Sequence, residues 1–320
     1  MAVYTEVSFN EAAALVARLG LGTLTSLTGI RSGIENTNYF ADTSQGSYVL
    51  TVFERLSFEQ LPFYLQLMKH LAERGIPVPG PKADASGAIL HTLQGKPAAI
   101  VDRLRGSHRL APEATHCASL GAMLARMHAA GADFAMHQPN LRGLPWWIET
   151  VPVVLPFVAD AQCALLEEEL VFQQHVAASP AHAALPRGAI HADLFRDNAM
   201  FEATPAGDRL TGLFDFYFAG VDALLFDIAV CLNDWCVDLE SGRLVEERAS
   251  VLVAAYHTVR ALTPNERRLL PALMRAAAFR FWLSRLWDLH LPRDASLLTP
   301  HDPAHFERVL RSHIAAPWHA

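Results

Sequence analysis

The sequence predicts a two-lobed α+β protein, with a small antiparallel-sheet lobe at the N-terminus and a larger, mainly helical lobe after it. Three observations predict this. Residues 24 to 53 read as three short strands separated by polar, Gly-containing turns. From Pro112 onward, apolar residues recur with helical period over long stretches. Strands gathered early and helices late are the order of an α+β arrangement. The 320 residues suffice for two cores, and 51% hydrophobic with 18% charged residues is the composition of a globular chain. We place the lobe boundary between residues 1–104 and 105–320.

In the first lobe, Ser8 and Glu11 form a capping box, and Ala12, Leu15, Val16 and Leu19 follow at helical spacing until Gly20. Strands are expected over residues 24–30, 37–41 and 47–53. The first connection, from Gly29 to Asn38, contains Arg31, Ser32, Gly33 and Asn36. Its small residues let a hairpin backbone approach phosphates and donate N–H groups to them. Leu61, Tyr64, Leu65, Met68 and Leu71 give a helix that begins near Glu59 or Gln60, because Pro62 fits only a first turn. Residues 88–93 and 97–104 read as a hairpin, and Arg105 to His108 as the hinge. In the second lobe, helices are expected over 112–130, 165–176, 224–239, 244–262, 264–290 and 306–314. Pro145-Trp146-Trp147-Ile148 follows a loop.

Composition narrows the function. A net charge of -7 argues against nucleic acid. The chain has no basic, apolar N-terminal leader and no uncharged apolar run near ~18 residues, so neither a signal peptide nor a membrane span is expected. The four cysteines, Cys117, Cys163, Cys231 and Cys236, include no Cys-x-x-Cys and read as free thiols in a reducing cytoplasm. The fifteen histidines show no metal-ligand spacing. Oligomeric state is not legible.

The stretch that carries chemistry is His191-Ala192-Asp193-Leu194-Phe195-Arg196-Asp197-Asn198, followed by Leu213-Phe214-Asp215. Asp197-Asn198 would also suit a plain turn. However, the polar loop lies between short apolar runs, at Ala189-Ile190 and Ala199-Met200-Phe201, and Asp215 ends a third. Phosphoryl transfer from ATP needs such a set: one carboxylate to orient the acceptor hydroxyl and take its proton, and a carboxylate with an amide to hold Mg2+ on the phosphates. Asp193 is the candidate base, and Asn198 and Asp215 are the candidate metal ligands. His191 is the fourth polar member and organises the loop by hydrogen bonds.

This motif, with Phe226-Asp227-Ile228-Ala229 after it, resembles the aminoglycoside phosphotransferase and choline kinase superfamily, whose fold is protein-kinase-like. Residues 33–40, 48–54 and 281–286 further resemble its bacterial homoserine kinase branch. The resemblance runs over nearly the whole chain. It implies that ATP and Mg2+ are the cofactors, that L-homoserine is the acceptor and that threonine biosynthesis is the setting. It also implies that the Gly29 to Asn38 hairpin covers the phosphates, that Val101 to Leu104 pass the adenine, and that Asp227 braces the catalytic loop. Choline, hydroxylysine or an aminoglycoside are rival acceptors, and a catalytically silent nucleotide-binding protein is the rival class.

Two departures stand out. Thr51 occupies the third-strand position where kinases of this fold carry a phosphate-binding lysine, and no helix glutamate answers it. Arg31, Arg55 and Lys96 are the candidate replacement cations. The residue before Asp193 is Ala192 rather than arginine, so constitutive activity is expected. For a zwitterionic acceptor, the helices after Asp227 offer Asp234 to the ammonium and Arg280 or Arg285 to the carboxylate, with Trp282 nearby.

Overall fold

We describe residues 5–30, 36–291 and 301–320 of a computed structural model. The chain divides into two units. The first comprises Met1–Gly106 with the short return Thr211–Phe214, and the second Ser107–Leu210 with Asp215–Ala320.

In the first unit, helix α1 (Phe9–Arg18) starts at the capping box: the Ser8 Oγ accepts the Glu11 N–H, and Glu11 accepts the Ser8 N–H at 2.9 Å. Its apolar stripe of Ala12, Leu15 and Val16 packs on one face of an antiparallel sheet, against Tyr39, Ala41, Leu50, Val52 and Ile100. That sheet comprises β1 (Leu24–Gly29), β2 (Asn36–Thr43), β3 (Gly46–Phe53), β4 (His91–Leu93) and β5 (Lys96–Asp102), in the order β1-β2-β3-β5-β4. Helix α2 (Leu61–Glu73) follows β3 and has Pro62 in its first turn. Strand alternation puts Asn38, Val49, Thr51, Ala99 and Val101 on the face away from α1, in the register Asn38↔Thr51↔Ala99 and Val49↔Val101.

The second unit holds α3 (Ala114–Ala130), α4 (Leu144–Val154), α5 (Asp160–Ala177) and the single turn α6 (Pro180–Ala183). Four short strands follow: β6 (Arg187–Ile190), β7 (Ala199–Thr204), β8 (Gly207–Leu213), whose end belongs to the first unit, and β9 (Gly220–Ala223). Helices α7 (Leu224–Trp235), α8 (Glu246–Val259), α9 (Pro264–His290) and α10 (Ala304–Ala315) complete it. The long α9 is the centre of this unit and packs against α4, α5, α7 and α10. Among the described residues, no helix is long and apolar enough to cross a membrane. Cys117, Cys231 and Cys236 are buried free thiols.

The structure adds two elements to the sequence expectations and amends a third. The Pro-Trp-Trp segment is a helix, α4, with its proline in the first turn. Helix α7 stops at Trp235 rather than Leu239. There the Asp238 carboxylate accepts the Ser241 N–H at 2.8 Å, and Gly242 takes a left-handed φ of +70°, which turns the chain back. Strand β9 was hidden by its brevity, and it pairs antiparallel with β6, Ile190 opposite Gly220.

Gly220 is required by proximity. A Cβ there would sit 2.9 Å from both the N and Cα of Asn140. Gly220→Ala is therefore expected to destabilise the fold by about 1–3 kcal/mol, read as a lower urea midpoint. His313 of α10 is 3% exposed and its Nε2 meets the Asn233 Oδ1 at 2.8 Å. Burial pushes its pKa down to about 4, with Arg275 adding to the effect. The unfolded chain thus takes up the proton first, and stability falls as pH drops from about 6.5 toward 4, by ~3 kcal/mol at most. His313→Gln, which cannot titrate, is expected to show a smaller loss of melting temperature between pH 7.5 and pH 5 than the parent.

Candidate active site

The loop from His191 to Asn198 leaves β6 and enters β7, and three residues on α7 hold it. The Asp227 carboxylate, fully buried, accepts the His191 N–H at 2.8 Å and the Ala192 N–H at 2.7 Å. These bonds hold Ala192 at φ +62°, a left-handed conformation that costs an alanine ~1–2 kcal/mol. In the last turn of α7, Asp234 Oδ2 accepts the Arg196 N–H at 2.7 Å and its Nε–H at 3.1 Å. Trp235 Nε1 donates to the Leu194 carbonyl at 3.0 Å. The loop closes on itself where the Asn198 amide donates to the Asp193 carbonyl at 2.8 Å.

Behind Asp227 lies a chain of buried polar groups that the sequence did not reveal. His128 of α3 reaches Asp227 Oδ2 through Nε2 at 3.0 Å and Tyr256 Oη through Nδ1 at 2.7 Å. Arg260 donates to that hydroxyl at 3.2 Å and to Glu266 at 2.8 Å. The Arg260 guanidinium only donates, to Glu266 and to Tyr256, and the Asp227 carboxylate at the far end only accepts. Burial pushes the Asp227 pKa up, but the bond and charge of His128 and the His191 N–H outweigh it, so the carboxyl titrates below its usual range.

At the open end of the loop, Asp193 and Asp215 lie close enough for their charges to interact. Burial raises Asp193 well above the usual carboxylate range. The Arg280 guanidinium opposes this, while Asp215, Asp197 and Asp234 add to it. Asp215 stands exposed at the end of β8 with φ +66°, which aspartate tolerates better than most residues. His191 is fully buried, and its Nδ1 accepts the Asp193 N–H at 3.3 Å, so it helps to hold the candidate base.

The set fits a magnesium ion. Asp193 and Asp215 stand near each other with Arg280 as the countercharge on Asp193, and the bond from the Asn198 N–H2 to the loop carbonyl leaves the amide oxygen as the ligand atom. Mg2+ takes few protein ligands and completes its shell from phosphates and water. Among the described residues, no three His, Cys, Asp or Glu side chains cluster as a metal site of their own.

The remaining candidates are distributed as follows. Arg31, Ser32 and Gly33 lie outside the described residues. Gly29 ends β1, and Asn36 and Asn38 begin β2, where the Thr51 hydroxyl donates to the Asn38 side-chain carbonyl at 2.7 Å. Val101 is bridged to Val49 on one side and Pro81 on the other. Leu104 packs against Gly212, where a Cβ would sit 2.6 Å from its Cδ1. Lys96 does not serve as a loose cation: its ammonium is committed to Glu54 and to the Thr5 hydroxyl. Asp234 is engaged by Arg196, Trp282 is fully buried, and Arg285 lies over the Phe306 ring and donates to the Asp302 carbonyl at 3.2 Å. Arg280 Nη1 lies 3.7 Å from Asp193 Oδ1. His128, Arg142, Arg196 and Tyr256 are the site residues that no motif marked.

Known proteins share this fold. The fold is shared with an amicoumacin kinase solved with AMP-PNP, Ca2+ and Ami (TM-score 0.71, 16% identity, 97% of this chain and 95% of that one). It is also shared with a choline kinase from Cryptosporidium parvum Iowa II (TM-score 0.60, 13% identity, 91% and 88%). Curated relatives named homoserine kinase match along almost their whole length. The one from Polaromonas naphthalenivorans (strain CJ2) is 66% identical over 99% of both chains, and the one from Janthinobacterium sp. (strain Marseille) is 55% identical over 98% of this chain and 96% of its own. The phosphotransferase enzyme family (APH) matches residues 26–270, a span that contains Asp193, Asn198, Asp215 and their supports on α7. With that match and those relatives, the chain belongs to the phosphotransferase enzyme family.

Proposed function

We propose that this protein is a homoserine kinase, which transfers the γ-phosphate of ATP to the hydroxyl of L-homoserine to give O-phospho-L-homoserine and ADP. The observation that carries the reading is full-length identity of up to 66% to curated homoserine kinases, with Asp193, Asn198 and Asp215 in place. It is an ATP-dependent phosphotransferase acting on an alcohol.

Asp193 orients the acceptor hydroxyl and takes its proton as the oxygen bonds to the γ-phosphorus. The bond from that phosphorus to the β,γ-bridging oxygen breaks, and ADP carries away the electron pair. His191 and the two Asp227 bonds hold Asp193 in place. Asn198 and Asp215 would hold Mg2+, which when bound neutralises charge on the phosphates. In the first unit, the sheet face with Asn38, Thr51 and Val101 serves the nucleotide, together with Gly29 and Asn36 at the hairpin and Leu104 beyond the sheet.

Purified protein with Mg-ATP should release ADP with L-homoserine and yield O-phospho-L-homoserine by mass spectrometry. L-Serine, L-threonine, choline, 5-hydroxylysine and kanamycin should give at most a small fraction of that rate. Strong turnover of another acceptor would keep the chemistry and replace the acceptor. Nucleotide binding without turnover of any of them would favour the silent-binding class.

A further inference from the structure

Arg280 presents an unusual arrangement. Its side chain is 3% exposed, on the central helix α9, and its Nη1 faces Asp193 at 3.7 Å. The other two nitrogens, Nε and Nη2, are buried and have no hydrogen-bond partner. Phe281 at 3.7 Å and Phe218 at 4.9 Å bracket the guanidinium plane and supply no acceptor. A buried charged donor left unmade is costly, so such an edge persists where something else completes it. Nε and Nη2 form the side of the fork whose parallel N–H bonds match the two oxygens of a carboxylate.

The surroundings select the charge of that ligand. Arg142 and Arg285 lie close enough for their charges to act on Arg280. The backbone of Arg142 is fixed, since its N–H donates to Asn140 at 3.0 Å and its carbonyl accepts the Trp147 indole N–H at 2.6 Å. Asn140 is in turn tied to Asp222 of β9 at 3.0 Å. Arg142 and Arg285 thus add positive charge around Arg280, where Asp193 and Asp288 are the opposing charges, and an anion brought to the free edge of Arg280 is favoured over a cation there.

We infer that the Nε/Nη2 edge of Arg280 receives the acceptor's carboxylate, and that with Arg142 and Arg285 it makes the site specific for short hydroxy amino acids over amino alcohols. The inference rests on the reading that L-homoserine is the acceptor. Its carboxylate and hydroxyl are separated by three carbons, so one end can meet Arg280 while the other meets Asp193. Choline and aminoglycosides would bring a positive charge to the arginines.

The test compares L-homoserine with 3-aminopropan-1-ol, which has the same hydroxyl and amine but no carboxylate. The parent enzyme is expected to favour L-homoserine by about 10^3-fold in kcat/KM. Arg280→Gln should reduce that ratio to less than about tenfold, chiefly through a higher KM for L-homoserine, and Arg280→Lys should fall between. If Arg280→Gln slows both acceptors equally and keeps the ratio, the residue acts on the base or the phosphoryl group and the assignment is wrong. If the variants do not fold, inhibition of the parent by L-2-aminobutyrate but not by propylamine supports the assignment, and equal inhibition overturns it. Absence of any L-homoserine turnover by the parent sinks the homoserine reading itself, whereas turnover with an unchanged ratio sinks only the role of Arg280.

Discussion

Asp193→Asn is expected to leave Mg-ATP binding intact and to lower kcat by about 10^3-fold. The amide fills the same space and leaves the backbone bond to His191 unchanged, but it cannot take the hydroxyl proton. Arg280 would then face a neutral partner across its 3.7 Å contact, which adds to the loss. Single-turnover measurement with saturating nucleotide checks this, because it separates chemistry from product release. A fall of less than tenfold would place the base elsewhere.

Asp227→Asn is expected to cost about 3 kcal/mol in the unfolding of the second unit and to lower kcat as well. The reason lies in donor counting. Asp227 accepts three hydrogen bonds, from two backbone N–H groups and from His128. An asparagine must turn its N–H2 toward one of these donors. If it faces the loop, Ala192 loses the bonds that offset its left-handed conformation. If it faces His128, the imidazole must turn its donor around, and Tyr256 and Arg260 stand behind it with a fixed direction. Urea unfolding and kcat, measured together, check the expectation. A fully stable and fully active variant would remove Asp227 from its bracing role.

Most of the fold was legible because its signals are local. The capping boxes at Ser8 and Thr263, the proline in the first turn of α2, and the helical period of α9 each state their structure within a few residues. Strand β9 was not legible, since a four-residue strand is defined by its partner β6 and by the close approach of Asn140, neither of which is near it in sequence. The candidate base and metal ligands were readable for the same reason as the helices: Asp193 and Asn198 lie in one loop, and Asp215 lies seventeen residues after Asn198. Asp227 and His191 were readable as supports of the loop, but the groups behind them were not. His128 lies 99 residues from Asp227, and Arg142 acts on Arg280 from the turn before α4, so only tertiary packing brings them together. Asp234 was placed by its spacing from Asp227, which puts both on the side of α7 that holds the loop, but its bond to Arg196 was not legible.

The line from Glu266 through Arg260, Tyr256 and His128 to Asp227 has a consequence for how this protein can diverge. Arg260 donates to Glu266 on one side and to Tyr256 on the other, and from there the bonds lead through His128 to Asp227, so a change at Tyr256 is felt at Ala192 although no hydrogen bond joins the two. Such positions should show epistasis: substitutions at one are tolerated only on particular backgrounds at the others, and their effects do not add. A lineage of this enzyme therefore inherits these residues as a block and varies most freely in the parts of the second unit that the block does not reach.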